Sequence, residues 1–228
     1  MKTYIIVLEK HEFSEKIASE CIMQANKFGL DVEIFDAIWG KNYKEHMNLT
    51  GLKLGRIKQN KMNLGHYGNF FSHYYLWKKC LVLNEPIIVL EHDGYFIKKI
   101  PDDVLDNFVD ILKLDYENPY SSGYAEKIND GLSQSITYLH SIKGMHKRKK
   151  CGWYTWGSYG YIIKPSGAKK LIDWVTEYGF MSTDNQIADD VLSVSICKPS
   201  ILRLHPLYEG TGIFECSTTS EMGMPINE

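Results

Sequence analysis

Ile87, Ile88, Val89 and Leu90 form an unbroken β-favouring apolar run that passes without a spacer into Glu91-His92-Asp93-Gly94. A strand apolar at every position must be covered on both faces, which points to a sheet buried between layers of helix. The polar cluster has no place in that core, so the strand ends where the cluster begins. Ligands of open α/β sheets bind beyond the carboxyl ends of strands, where Glu91, His92 and Asp93 would be displayed, with Gly94 allowing a close backbone approach. Such a group suits magnesium or manganese, held by carboxylate oxygens together with substrate phosphates. The same residues also read as a solvated turn, since Asp-Gly is a common turn pair.

The rest of the chain fits an α/β arrangement. Tyr4 to Leu8 reads as a buried strand. Phe13, Ile17, Cys21, Ala25 and Phe28 follow at helical spacing, and Gly29 supplies a stop. Leu30, Val32 and Ile34 alternate with acids, so a second strand returns at once and the opening is a βαβ unit, which implies parallel pairing. Residues 37–63 are weakly periodic and read as a loop with a short helix, able to fold over a ligand. Leu64 to His73 leads into a strongly aromatic helix through Val82, with Gly65 and Gly68 permitting close packing near its start. Pro101, with Asp102 and Asp103 behind it, predicts a helix carrying Val104, Leu105, Phe108, Ile111 and Leu112. Residues 114–135 read as an insertion, 136–142 and 158–163 as strands, and Pro165 onwards as an amphipathic helix stopping near Gly179. Thr183 and Gln186 have the spacing of a capping box around Asp184, which places that carboxylate at a helix N-terminus. With 228 residues, 44% of them hydrophobic, the expectation is one α/β domain spanning 1–228, its central sheet mostly parallel and flanked by helices.

The net charge of -2 gives no global attraction to nucleic acid or membrane, so polyanion binding would need a local patch. His146-Lys147-Arg148-Lys149-Lys150, followed by Trp153, Tyr154 and Trp156, is such a patch. Lys147, Arg148, Trp153 and Trp156 could hold the phosphates and bases of an acceptor, or form a solvated loop whose aromatics return to the core. No helix carries a basic face, which ranks a plain DNA- or RNA-binding protein low. Cys21, Cys80, Cys151, Cys197 and Cys216 are scattered and odd in number, unlike a disulfide framework or a zinc site. The N-terminal apolar run is too short for a signal peptide or membrane span, and a cytoplasmic location is expected.

Four blocks in this order resemble glycosyltransferase family 25, whose members include lipooligosaccharide glycosyltransferases and collagen galactosyltransferases. They are the opening strand and helix; Leu64 to Trp77, with a Gly-x-x-Gly-x-x-x-Ser-His pattern; Val89 to Asp93, matching Leu-Glu-Asp-Asp; and Gly157 to Ile172, with Gly-x-Tyr-Gly-Tyr and Gly-Ala-x-x-Leu. The resemblance implies a GT-A-like fold and an inverting transfer from a nucleotide-diphospho-sugar, with a UDP-sugar the leading donor, to a glycan hydroxyl such as one on lipooligosaccharide. It implies Asp93 as the carboxylate meeting a divalent metal (Mn or Mg), Glu91 and His92 beside it on the donor side, Gly157 and Tyr159 in a donor-binding block, and Asp184 as general base or helix-capping residue. His205 is a possible further metal ligand. Two positions depart from the family: His92 replaces an acid and Val7 an asparagine. Two alternatives stand beside the main reading: transfer to a hydroxymethylated DNA base flipped from the stack, and a non-catalytic module that binds sugar nucleotides or glycans.

Overall fold

A computed structural model describes residues 1–55, 62–115, 137–140, 146–147, 153–154 and 157–208 of the chain. Its strands are β1 (Lys2–Val7), β2 (Val32–Asp36), β3 (Ile87–Glu91), β4 (Gly94–Phe96), β5 (Ile111–Lys113), β6 (Thr137–His140), β7 (His146–Lys147), β8 (Trp153–Tyr154), β9 (Gly160–Ile163), β10 (Val194–Lys198) and β11 (Leu202–Leu204). Its helices are α1 (Glu12–Lys27), α2 (Tyr43–Thr50), α3 (Leu64–Leu83), α4 (Pro165–Tyr178) and α5 (Thr183–Gln186).

The apolar run becomes β3, and Ile87 through Leu90 are fully buried. A seven-stranded sheet of order β2-β1-β3-β9-β5-β10-β6 surrounds it. Strands β2, β1, β3, β5 and β10 run one way while β9 and β6 run the other, so the sheet is mostly parallel as expected. Period-two alternation divides its side chains between two cores. Tyr4, Ile6, Ile87, Val89, Tyr161 and Ile163 join α3 and α4 on one face, whereas Ile5, Val7, Ile88, Leu90 and Ile162 join α1 on the other. Each large apolar side chain buried this way contributes roughly 1.5–3 kcal/mol.

β2 and β3 flank β1 on opposite sides, both parallel to it, so the strand order reverses at β1; in such sheets ligands bind in the crevice beyond the carboxyl ends of the strands at that point, here β1 and β3. The Glu91-to-Gly94 stretch closes that end of β3, and it is also a turn that leads into β4, which pairs antiparallel with β11. The close approach at Gly94 is made inside the protein: a Cβ there would lie 2.5 Å from the carbonyl oxygen of Tyr159.

Helix α3 is fixed at both ends. Asn63 accepts from the backbone N–H of His66 at 3.0 Å while His66 Nδ1 accepts from the N–H of Asn63 at 3.2 Å, and Asn84 ends the helix with φ 51°. Its glycine pattern serves packing, since a Cβ on Gly68 would lie 2.4 Å from the carbonyl oxygen of Ile38. Gly167 does the same for α4, where a Cβ would stand 2.6 Å from the Asp110 carbonyl oxygen.

Two sequence expectations are corrected, and a third, the short helix expected within 37–63, is met. After Pro101 only one 3-10 turn forms, Val104–Asn107; Phe108 is extended, and Ile111–Lys113 is β5, paired on both sides. Two ladders and complete burial of Ile111, Leu112 and Leu114 outweigh the helical spacing. Residues 37–63 contain α2 and a 3-10 turn, Gly40–Asn42, and the segment after α2 is tied to residues 179–181 by Phe180 N–H to Lys53 O at 2.9 Å and Gly55 N–H to Phe180 O at 2.8 Å. The Thr183–Gln186 box is not made. Ser182 is the N-cap, the Thr183 hydroxyl donates to Asn69 Oδ1, and Gln186 Oε1 accepts from Met181 N–H at 3.2 Å. The insertion expected within 114–135 lies, from residue 116 onwards, outside the described residues, as do Cys151 and Cys216. Cys21, Cys80 and Cys197 are free and buried. Among the described residues no helix is long and apolar enough to cross a membrane.

Candidate active site

Glu91 lies at the centre of the crevice. It continues the alternation of Ile87 and Val89, so its side chain faces α3, on which His66, Asn69, His73 and Trp77 recur at helical spacing. His73 Nε2 is 3.3 Å from Glu91 Oε1, and the Ser158 hydroxyl donates to the same oxygen. Burial pushes the Glu91 carboxyl up, but hydrogen bonds from His73, Ser158 and Asn69 outweigh it and hold the group ionised and low. About a fifth of the side chain, 21%, stays open to the crevice.

The carboxyl groups around this fixed charge are displaced the other way. Asp93 is pushed up by burial and then by the charge of Glu91. Asp184 is raised by burial and then by Glu91, against opposing effects of Lys113, the Gly157 N–H and Ser158. Asp115, two residues past the end of β5, is also raised, chiefly by burial. Burial lowers His92 to about 4, with Glu91 opposing and His11 and His205 adding repulsion. One carboxylate held low among others pushed up is the pattern that separates acid and base roles in catalytic sites.

The turn before β9 joins these groups. Gly157, with φ 83°, donates its N–H to Asp184 Oδ2 at 3.3 Å, and its carbonyl accepts from Lys113 Nζ at 2.6 Å. Lys113 is 1% exposed and its ammonium lies 3.9 Å from Asp115 Oδ1. The Tyr159 hydroxyl donates to Asp115 Oδ2 at 3.0 Å, so Tyr159 is a core residue whose polar tip reaches the site. Glu91, held by Ser158, and Asp184, held by Gly157, are thereby joined through one turn, with Asp93 two residues beyond Glu91.

For a divalent metal the informative atom is Asp93 Oδ1, which is buried and has no hydrogen-bond partner, as an oxygen that a cation would satisfy. Among the described residues no group of three His, Cys, Asp or Glu side chains converges for metal binding. A cation here would rest on one carboxylate and the phosphates of a ligand, which is the habit of magnesium and manganese. The expectation for His205 is corrected. Its backbone N–H bonds the Asp93 carbonyl at 2.8 Å, but Nδ1 accepts from Leu207 N–H at 3.2 Å and Nε2 faces Glu20 Oε2 at 3.0 Å, so neither ring nitrogen offers a lone pair. His205 braces the Asp93 turn from behind.

Lys147 and Trp153 are register partners in the antiparallel ribbon β7–β8, and β8 contacts α5, which carries Asp184. Arg148 and Trp156 lie outside the described residues. His73, Asn69, Ser158, Lys113 and Asp115 are site residues that motif reading missed. The available signals were a histidine one turn before Trp77 on an apolar helix and a lysine inside the run Ile111-Leu112-Lys113-Leu114.

The model of glycosyltransferase family 25 (LPS biosynthesis protein) matches residues 1–190. A glycosyltransferase 25 family member of Aedes aegypti is 29% identical over 159 residues, covering 65% of this chain and 24% of that protein. The aligned part thus spans about a quarter of that relative's length. The crystal structure of mouse xyloside xylosyltransferase 1, apo form, aligns with a TM-score of 0.38 and 9% identity over 82% of this chain and 80% of that one, a likeness too low to bear on the argument.

Proposed function

From the premise that the chain belongs to glycosyltransferase family 25, we propose that it is an inverting glycosyltransferase that moves a sugar from a nucleotide-diphospho-sugar, a UDP-sugar first among them, to a glycan hydroxyl such as one on lipooligosaccharide. The observation that supports it best is the division of labour around Glu91: a buried, unsatisfied Asp93 oxygen on one side and a carboxyl of raised pKa, Asp184, on the other.

In this reading the donor lies across the carboxyl ends of β1 and β3 with its diphosphate at Asp93. Asp93 would hold a divalent cation, which would supply charge neutralisation for the departing diphosphate. Asp184 takes the proton of the acceptor hydroxyl as its oxygen attacks the anomeric carbon from the face opposite the nucleotide. The Gly157 N–H orients Asp184 for that step.

A DNA acceptor is the second reading, favoured by the contact of the β7–β8 ribbon, with Lys147 and Trp153 on it, against α5. Calorimetric titration with UDP, with and without manganese, tests the shared premise. Binding that strengthens with manganese and loses that gain in Asp93→Ala is expected. No binding of UDP or any other nucleotide diphosphate under either condition ends the proposal.

A further inference from the structure

A buried relay runs beneath the crevice. Trp77, His73 and Tyr161 are each 0% exposed. Trp77 Nε1 lies 2.9 Å from the Tyr161 hydroxyl oxygen, Tyr161 lies 2.8 Å from His73 Nδ1, and His73 Nε2 lies 3.3 Å from Glu91 Oε1. The order of donors follows from the first member. An indole N–H can only donate, so the Tyr161 oxygen accepts from it. The Tyr161 proton must then find an acceptor, because a buried hydroxyl left unmade costs about 1–3 kcal/mol. His73 Nδ1 is that acceptor, which puts the ring proton on Nε2, facing Glu91. Burial also raises Tyr161 well above the usual tyrosine range, so it keeps the proton it donates.

Glu91 is where this wiring meets the site. A glutamate has three side-chain torsions, and here its charge is held by the His73 donor from α3 and by Ser158 from the turn before β9. Ser158 follows Gly157, whose N–H holds Asp184. We propose that His73 is a positioning residue: Trp77 and Tyr161 lock it as the Nε2–H tautomer, and in that form it fixes Glu91 and, through the Ser158–Gly157 turn, the orientation of Asp184. The functional part rests on the glycosyltransferase reading; the tautomer does not.

The test therefore has two arms on the full chain. Long-range ¹⁵N–¹H correlation of the histidine rings is expected to show His73 protonated at Nε2 and bare at Nδ1, with the assignment lost in Tyr161→Phe. A proton on Nδ1 in the wild type overturns the inference whether or not the protein is active. In the kinetic arm, release of UDP from UDP-galactose and UDP-glucose is followed for His73→Asn, which can accept from Tyr161 but cannot reach Glu91, and His73→Gln, whose amide can. His73→Asn should lower kcat about 10–100-fold, the usual effect of losing a group that orients a site residue. KM should change less, and His73→Gln should recover most of the loss at matched thermal stability. Equal losses in both variants, or a wild-type rate in His73→Asn, overturn the inference. A wild type inert towards both sugar nucleotides counts against the glycosyltransferase reading instead, and the spectrum then decides the wiring alone.

Discussion

Asp184 shows how much of a residue's chemistry its neighbours supply. Its type is ordinary and its helix has four residues, yet burial and the charge of Glu91 both push its carboxyl up. A general base works only when ionised, so the acid limb of kcat/KM should be set by protonation of this raised group. Activity should therefore fall, as pH drops, at a value above the ordinary aspartate pKa of about 3.9. Asp184→Asn should lower kcat by about 10²–10⁴-fold, with the UDP affinity measured calorimetrically changed by only a few-fold. A limb at or below the ordinary value, or full activity in Asp184→Asn, would reduce Asp184 to a structural partner of the Gly157 turn. In the sequence Glu91, His92 and Asp93 stood out because charge followed directly on an apolar strand. His73 stood there only as the last residue of a family pattern, with no role attached, and Lys113 not at all, because each lies within an apolar stretch where a polar residue reads as incidental until its partner is known. Those partners, Tyr161 and Gly157, are 88 and 44 residues away.

At the scale of elements, local signals located α1, α3, α4 and β3, where periodicity, caps and burial agree. They failed between Pro101 and Leu114, where β5 takes its conformation from β9 and β10, strands far along the chain. They also read the glycines of the α3 block as open to either a ligand or a backbone, and the contact is with backbone. A Cβ at Gly68 would meet the Ile38 carbonyl at 2.4 Å and the Gly40 nitrogen at 2.9 Å, neither of them a flexible side-chain end. Gly68→Ala should therefore destabilise the fold by about 1–3 kcal/mol, although alanine by itself favours a helix by up to about 1 kcal/mol. Val82→Ala on the same helix is the control, since Val82 is 85% exposed and should stay within about 0.5 kcal/mol. Urea midpoints of the three proteins decide the matter; a Gly68→Ala midpoint equal to wild type would mean that the 38–40 segment yields freely.

For the whole molecule, the βαβ opening predicted the parallel half of the sheet, but the antiparallel β9 between β3 and β5 was not legible. It is that strand which brings Gly157, Ser158 and Tyr161 to Glu91, so half of the site depended on a pairing that no local pattern specifies. The acceptor question also belongs to this scale. A chain of net charge -2 draws a polyanion only through a local patch, and the ribbon bearing Lys147 and Trp153 contacts the helix of the proposed base. A phosphate-bearing acceptor should therefore bind with strong salt dependence, and replacing Lys147, Arg148, Lys149 and Lys150 together by alanine should raise its KM more than it lowers kcat and flatten that dependence. Radiolabelled UDP-sugars offered to truncated lipooligosaccharide, hydroxymethylated DNA and unmodified DNA separate the two acceptors. Label in the glycan alone, with transfer weakened in the alanine variant, fits a phosphorylated glycan held by the ribbon. Label in hydroxymethylated but not unmodified DNA assigns the ribbon to the DNA backbone. If label enters the glycan and the alanine variant transfers at the wild-type rate at every salt concentration, the ribbon has no part in acceptor binding and the DNA reading falls with it.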